Sequence, residues 1–294
     1  TYWELFADLA KNGDSFEAQY FYLDEDDNEA ERVWDGENAQ SIFETLREFD
    51  VATVDRVSRR TRTDRPPTPF NTTQFIRAAS SLGYSAQRAM SIAEDLYTAG
   101  YVTYPRTDNT VYPEDLDPEE LLETFVETRT FGEDAESLLE NTPLEPTEGD
   151  EETTDHPPIH PTGELPARTE LSEDEWEVYE LIVRRFFATV ADPATWEHLK
   201  VVARVDGHSL KANGKRLLER GYHAVYPYFN TSENYVPDVE EGETLSVTDV
   251  SLDEKETQPP RRHGQSRLIE TMEDLGLGTK ATRHDIIQKL YDRG

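Results

Sequence analysis

The spacing of apolar and polar positions changes several times along the chain, and each change marks an element. Residues 1–65 predict short strands and one helix. The stretch 16–23 reads as a strand, DEDDNE after it as an acidic turn, and 38–49 has helical spacing through Ile42, Leu46 and Phe49. RVSRRTRTDRPPTPF at 56–70 is a cationic run closed by three prolines. Pro-Pro-Thr-Pro can neither continue a helix nor enter a central strand, which predicts a boundary near 66–69. Helices are predicted at 71–82 and 85–99. In the second, Ala86, Ala89, Met90, Ala93, Leu96 and Tyr97 form one apolar face, and Gly100 suits a left-handed cap. The segment 113–155 is acidic and weakly patterned, with helix predicted near 118–127. Residues 173–188 predict another helix, with Ser172 as its N-cap.

From 199 to 250 the period becomes two. LKVVARVDGHSLKA is a hairpin signature with Asp206-Gly207 at its turn, and 238–250 predicts a second strand pair. Pro259-Pro260 marks another boundary, after which 266–275 and 281–290 read as helices joined by Gly276-Leu277-Gly278-Thr279. The order strands, helices, strands, helices predicts an α+β chain in which a helical insertion over roughly 69–190 interrupts a β-rich domain. The chain stops on Asp292-Arg293-Gly294 directly after a helix, so a piece of a longer protein is expected.

Composition narrows the classes. The 294 residues include no Cys, which excludes disulfides, Cys-ligated zinc and cysteine nucleophiles. No stretch approaches the ~20 apolar residues that span a bilayer, and nothing has the pattern of a signal peptide. A cytoplasmic protein without membrane contact is therefore expected. Against 29 Lys or Arg stand 62 Asp or Glu, a formal charge of −33, and Lys occurs only seven times. Such a surface repels itself at low ionic strength but is tolerable in molar salt, where the Debye length shrinks to about 3 Å. The low lysine content points to an extreme halophile.

Candidate chemistry centres on GYVTYPRTDN at 100–109. A free tyrosine has a pKa near 10 and is a poor nucleophile at neutral pH. A guanidinium close to Tyr104, such as that of Arg106, stabilises a phenolate and holds a phosphate, which attack on a phosphodiester requires. On the residues alone, Tyr104 packed in a core with Arg106 as a surface charge is the commoner arrangement. His156 and His160 in DHPPIHPT, in a Pro-rich loop, offer two ligands of a metal site lacking a third of fixed spacing. Arg56, Arg59, Arg60, Arg62 and Arg65, and then Arg261, Arg262 and Arg267, are either steering groups for a polyanion or counter-charge for an acidic surface.

The run 66–110 resembles type IA DNA topoisomerases. Their Pro-x-Pro-Phe-x-Thr segment precedes two helices and a Gly-Tyr-Ile-Thr-Tyr-x-Arg-Thr-Asp motif. Pro67, Pro69, Phe70, Thr72, Thr73, Leu96, Tyr97, Gly100, Tyr101, Thr103, Tyr104, Arg106, Thr107 and Asp108 stand here in that order. Residues 155–162 are similar to the family's His-x-x-Ile-x-Pro-Thr element. The segment 269–294 resembles its helix-turn-helix through Gly276, Gly278, Lys280 and Thr282, with Lys280 leaning towards the archaeal or topoisomerase III branches.

The resemblance implies that Tyr104 attacks DNA to give a 5′-phosphotyrosine. Arg106 then contacts the scissile phosphate, His156 approaches it, and Lys280 and Thr282 bind phosphate at a helix N-terminus. It further implies a monomer that relaxes negatively supercoiled DNA without ATP by passing a strand through a cut single strand, in a ring of domains. The fold implied is a β-rich arch domain over 1–68 and 190–258, a mainly helical domain with the tyrosine over 69–189, and the start of a helical DNA-binding domain over 259–294. The family's Mg²⁺ site lies in an N-terminal Toprim domain. Asp115, Asp117 and Glu119 have its literal spacing, but so acidic a chain gives roughly three such triplets by chance. No hydrophobic strand precedes them and Pro118 lies among them, so a solvated helix start is expected. The Toprim domain and the Gly-Arg-Val-Gln-Ser helix that precedes this region are expected to lie outside the chain, leaving it incomplete for turnover. The topoisomerase half of a reverse gyrase, or a non-catalytic acidic DNA-binding module, remain alternatives.

Overall fold

The computed structural model describes residues 1–294. The chain forms two compact units, each discontinuous in sequence. One comprises Thr1–Thr63, Thr195–Glu219 and Thr231–Pro260; the other comprises Asp64–Ala194, Arg220–Asn230 and Arg261–Gly294.

The first unit is built from strands β1 (Tyr2–Lys11), β2 (Asp14–Leu23), β3 (Glu29–Ala30), β4 (Val51–Asp64), β5 (Ala194–Val205), β6 (His208–Glu219) and β7 (Thr244–Lys255), with helix α1 (Gly36–Glu48). The strands pair in the order β1-β7-β4-β5-β6-β2-β3. Because β1 also pairs with β2, six of them close into a barrel, which removes the exposed edges of an open sheet. Alternate residues point inward, as the two-residue period requires: Leu5, Ala7 and Leu9, then Phe16, Ala18 and Tyr20, then Val201, Ala203 and Val205. Helix α1 adds Ala39, Ile42 and Leu46 to the same core. The β5–β6 hairpin turns at Asp206 (φ 46°) and Gly207 (φ 81°), the two positive φ values a tight two-residue turn needs.

The second unit holds helices α2 (Thr72–Ser81), α3 (Ala86–Thr98), α4 (Pro118–Glu123), α5 (Gly132–Leu139), α6 (Glu173–Thr189), α7 (Gln265–Asp274) and α8 (Arg283–Asp292). Their starts follow the capping chemistry. Asn71 and Ser85 accept hydrogen bonds from Gln74 N and Arg88 N, and Ser172 and Glu175 form a reciprocal capping box. Helix α6 runs through the core: Val178, Leu181, Ile182, Val183, Phe186 and Phe187 are fully buried, each contributing about 1.5–3 kcal/mol relative to exposure.

The structure departs from the sequence expectations in five places. Within 1–65 the strands are long, not short, except for the two-residue β3, and β4 runs through the cationic segment to Asp64. Residues 238–250 hold one strand, β7, rather than a pair; its partners are β1 and β4 from distant sequence. Helix near 118–127 stops at Glu123, and α5 was not foreseen. Where three domains were expected, packing yields two units. Residues 261–294 join the helical unit because α7 packs on α2 and α8 on α3, burying Ile269, Met272 and Ile287. Residues 220–230 join it too, through buried Tyr222, Val225 and Tyr226.

Candidate active site

Tyr104 lies six residues after the end of α3. Gly100 takes φ 88° and lets Gly100 N and Tyr101 N bond back to Tyr97 O and Leu96 O, which ends the helix and turns the chain. The following segment is clamped on both sides. Thr103 N donates to His160 O and Thr162 N to Tyr101 O, so 101–103 and 159–162 run as a short two-stranded ribbon. On the other flank Thr72, at the start of α2, donates through Oγ1 to Pro105 O (2.6 Å) and accepts from Thr107 N (2.8 Å). Asn109 Nδ2 donates to the carbonyls of Thr153 and His156. These bonds leave the Tyr104 turn little freedom.

The result is a half-buried Tyr104 whose ring lies 4.7 Å, centroid to centroid, from the exposed ring of His156, 52 residues on. Tyr97 stands edge-on to Tyr104 at 5.2 Å. Tyr97 is 45% exposed; it was expected on the apolar face of α3 and instead forms one wall of the tyrosine site. The ring of Tyr104 is not sealed in a core.

Arg106 is held. Its Nε and Nη2 donate to Glu94 Oε1 of α3 (3.0 and 2.6 Å), and its Nη1 donates to Ala281 O (2.5 Å) in the turn before α8. Lys280 of that turn pairs with Asp155 (2.9 Å), the neighbour of His156, and with Asp108 (3.4 Å). The Lys280 ammonium and the Thr153 hydroxyl hold the Asp155 carboxyl well below the usual carboxylate range. Thr282 Oγ1 accepts from Thr279 N (2.9 Å) and is exposed, closing a turn in which Gly276 and Gly278 adopt positive φ. Tyr104, Arg106, His156, Lys280 and Thr282 thus come together through three segments far apart in sequence, all within one compact unit.

Glu94 lies outside the motifs, because acids in so acidic a chain carry no signal; Asp108 and Asp155 stand in motifs but carry no role assigned from sequence. His284 was also missed. It is buried in α8, where burial pushes its pKa down; the Asp285 and Glu94 carboxylates oppose that shift and the Arg106 guanidinium adds to it. His160 is equally buried, its Nδ1 2.7 Å from Pro161 O, so it does not pair with exposed His156 as a metal ligand.

No group of three or more His, Asp or Glu side chains is arranged to hold a metal ion. Asp117 instead caps α4, accepting from Glu119 N and Glu120 N, and Glu119 accepts from Leu144 N, so the acidic triplet is spent on a helix start. The donor set for Mg²⁺ is not present among these residues. No helix is long and apolar enough to cross a membrane. The cationic run divides: Arg59 pairs with Glu197 and Asp238 as counter-charge, whereas Arg56 and Arg60 make no ion pair.

The chain is similar to known proteins over its whole length. The DNA topoisomerase family model matches residues 1–294. The chain is 45% identical over 257 residues to DNA topoisomerase 1 of Archaeoglobus fulgidus, covering 87% of this chain and 38% of that protein. It is 36% identical over 293 residues to DNA topoisomerase 1 of Thermoplasma acidophilum, and 33% identical over 267 to DNA topoisomerase 3-alpha of Arabidopsis thaliana. The structure superposes on full-length topoisomerase I from Thermotoga maritima with a TM-score of 0.73 and 25% identity, over 99% of this chain and 47% of that one. The mixed α+β fold is thus shared with a solved topoisomerase I. This chain belongs to the DNA topoisomerase family. It spans between 29% and 38% of the length of the curated relatives named here.

Proposed function

We propose that this chain is the strand-gate portion of a type IA DNA topoisomerase. Tyr104 Oη attacks a backbone phosphorus of a single DNA strand. The Oη–P bond forms as the P–O3′ bond breaks; the phenol gives up its proton and the departing 3′ oxygen gains one. The 5′-phosphotyrosine stores the phosphodiester energy, so the 3′-hydroxyl can rejoin the strand without ATP. Arg106 contacts the scissile phosphate, His156 lies beside the reacting oxygen, and Lys280 and Thr282 hold a neighbouring phosphate. The substrate is single-stranded or negatively supercoiled DNA, and the enzyme works as a cytoplasmic, nucleoid-associated monomer. Carboxylates of a Toprim domain outside these residues would hold the Mg²⁺ of this family, which would supply positive charge for rejoining.

The observation that supports this reading most is the half-exposed Tyr104 ring, fixed on a clamped turn against His156 and bordered by the segments bearing Arg106 and Lys280. The test joins the chain to a Toprim domain of the family and follows relaxation of negatively supercoiled plasmid. Relaxation by the joined protein and none by Tyr104→Phe is expected. Equal relaxation by the Phe variant would overturn the mechanism. The chain alone is expected to complete no relaxation cycle.

A further inference from the structure

A chain of charge −33 gains little from phosphate attraction at high salt, because counterion release gives out as the salt concentration rises. Its grip on a DNA strand must come from contacts that salt does not screen. Stacking of bases on aromatic rings is one such contact.

The helical unit contains a cavity of about 340 Å³, within the range of roughly 300–1,000 Å³ typical of ligand clefts. Tyr226, Tyr228 and Phe229 line one side, and Gln74 and Arg77 of α2 and Ser266 of α7 line the other. None of the five residues assigned to the tyrosine site belongs to it. The rings form a built platform. Tyr226 is fully buried, with Tyr228 edge-on at 4.7 Å and Phe229 tilted at 5.2 Å. Arg185 fixes it from below, donating to Tyr226 Oη (3.3 Å), Thr68 O (2.7 Å) and Gln74 Oε1 (3.3 Å). On this fixed base Phe229 is 45% exposed. A rigid aromatic face beside amide, hydroxyl and guanidinium groups suits a planar, polar-edged ring.

Two charge observations name the rest of the ligand. Arg77 is tied only to Glu270, and both side chains are more than 40% exposed, so that pair is weak and open to exchange. Arg261, Arg262 and Arg267 flank Ser266 in sequence and are exposed. They make no ion pair, although acids outnumber bases two to one. Arg77 in the lining of an aromatic cleft, and an unpaired Arg267 next in sequence to the lining Ser266, fit a ligand that alternates bases with phosphates.

We propose that this cavity is a nucleobase subsite for single-stranded DNA, in which one base stacks on Phe229 while the adjoining phosphates meet Arg77 and Arg267. The inference rests on the reading that the chain handles a DNA strand, but it concerns binding and not cleavage, so Tyr104 takes no part in its test. The test uses a short fluorescein-labelled oligothymidylate and the abasic oligomer of equal length, followed by anisotropy in molar KCl. Phe229→Ala is expected to weaken oligothymidylate about tenfold and to leave the abasic oligomer unchanged, while Phe229→Trp restores binding. Irradiation of an oligomer bearing 5-bromouracil is expected to cross-link peptide 226–229.

Equal losses for both oligomers, an unchanged Phe229→Ala, or cross-links only elsewhere would each overturn the subsite while leaving strand cleavage by Tyr104 standing. Binding of free thymidine monophosphate as tight as that of the oligomer would make the cavity a nucleotide site and not a strand site. Absence of oligomer binding to the parent chain would overturn it outright, whereas plasmid relaxation in the joined protein is scored separately.

Discussion

Arg106 has five N–H donors, and the structure uses three of them on Glu94 and Ala281 O. The remaining two suffice for one bidentate phosphate contact, so Glu94 aims the guanidinium without consuming it. Glu94 is therefore a positioning residue in the proposed mechanism. In the enzyme completed with its Toprim domain, Glu94→Ala is expected to lower oligonucleotide cleavage about tenfold, the scale of one charge-assisted hydrogen bond. Glu94→Gln, whose carbonyl still accepts, is expected to recover most of that loss; equal loss in both variants would show that charge and not aim matters. The buried histidines make a second prediction at this scale. Burial lowers the pKa of His160 and of His284, so the unfolded chain binds protons that the folded chain refuses. Stability is then present above the unfolded value near 6.5 and is lost as pH falls through and below it. Thermal midpoints measured in molar salt should drop between about pH 7 and pH 5, and His160→Asn should flatten that drop.

At the scale of elements, local chemistry sets the helical unit and long-range pairing sets the barrel. Caps at Asn71, Ser85 and Ser172, the left-handed Gly100 and the Asp206-Gly207 turn are decided within a few residues, so the sequence exposes them. The fate of β7 depends on β1, some 240 residues away, and no local pattern reveals it. The site shows the same split. Tyr104, Arg106 and His156 stand in motifs, whereas Glu94 and His284 matter only because α3 and α8 meet around Arg106. Segment 220–230 was invisible for a further reason: it reaches the helical unit through a single backbone geometry. Gly221 has φ 51°, and a Cβ there would lie 2.2 Å from Pro193 O and 2.5 Å from Asp192 O. Gly221→Ala is expected to destabilise the helical unit by about 2–3 kcal/mol, read as a lowered melting midpoint. An unchanged midpoint would show that the segment relaxes freely.

For the whole molecule, electrostatics outweighs any single contact. Most of the 62 acids have no basic partner, since only 29 Lys and Arg exist to meet them. Screening must then supply the compactness that ion pairs do not. Raising KCl from about 0.1 to about 3 M is expected to raise the melting midpoint, and no gain would remove the halophilic reading. DNA binding is likewise expected to fall less steeply with salt than that of a basic relative; a steep loss between about 1 and 3 M KCl would contradict it. The barrel adds a mechanical consequence. Tyr2, where the chain enters β1, stands opposite Lys255, where it leaves β7, and the ladder continues from there to Ala10 opposite Ser246. Tension between those two points loads the rungs one after another, as in opening a zipper, instead of shearing them all together. The β1–β7 seam is thus the one a modest pull would part first.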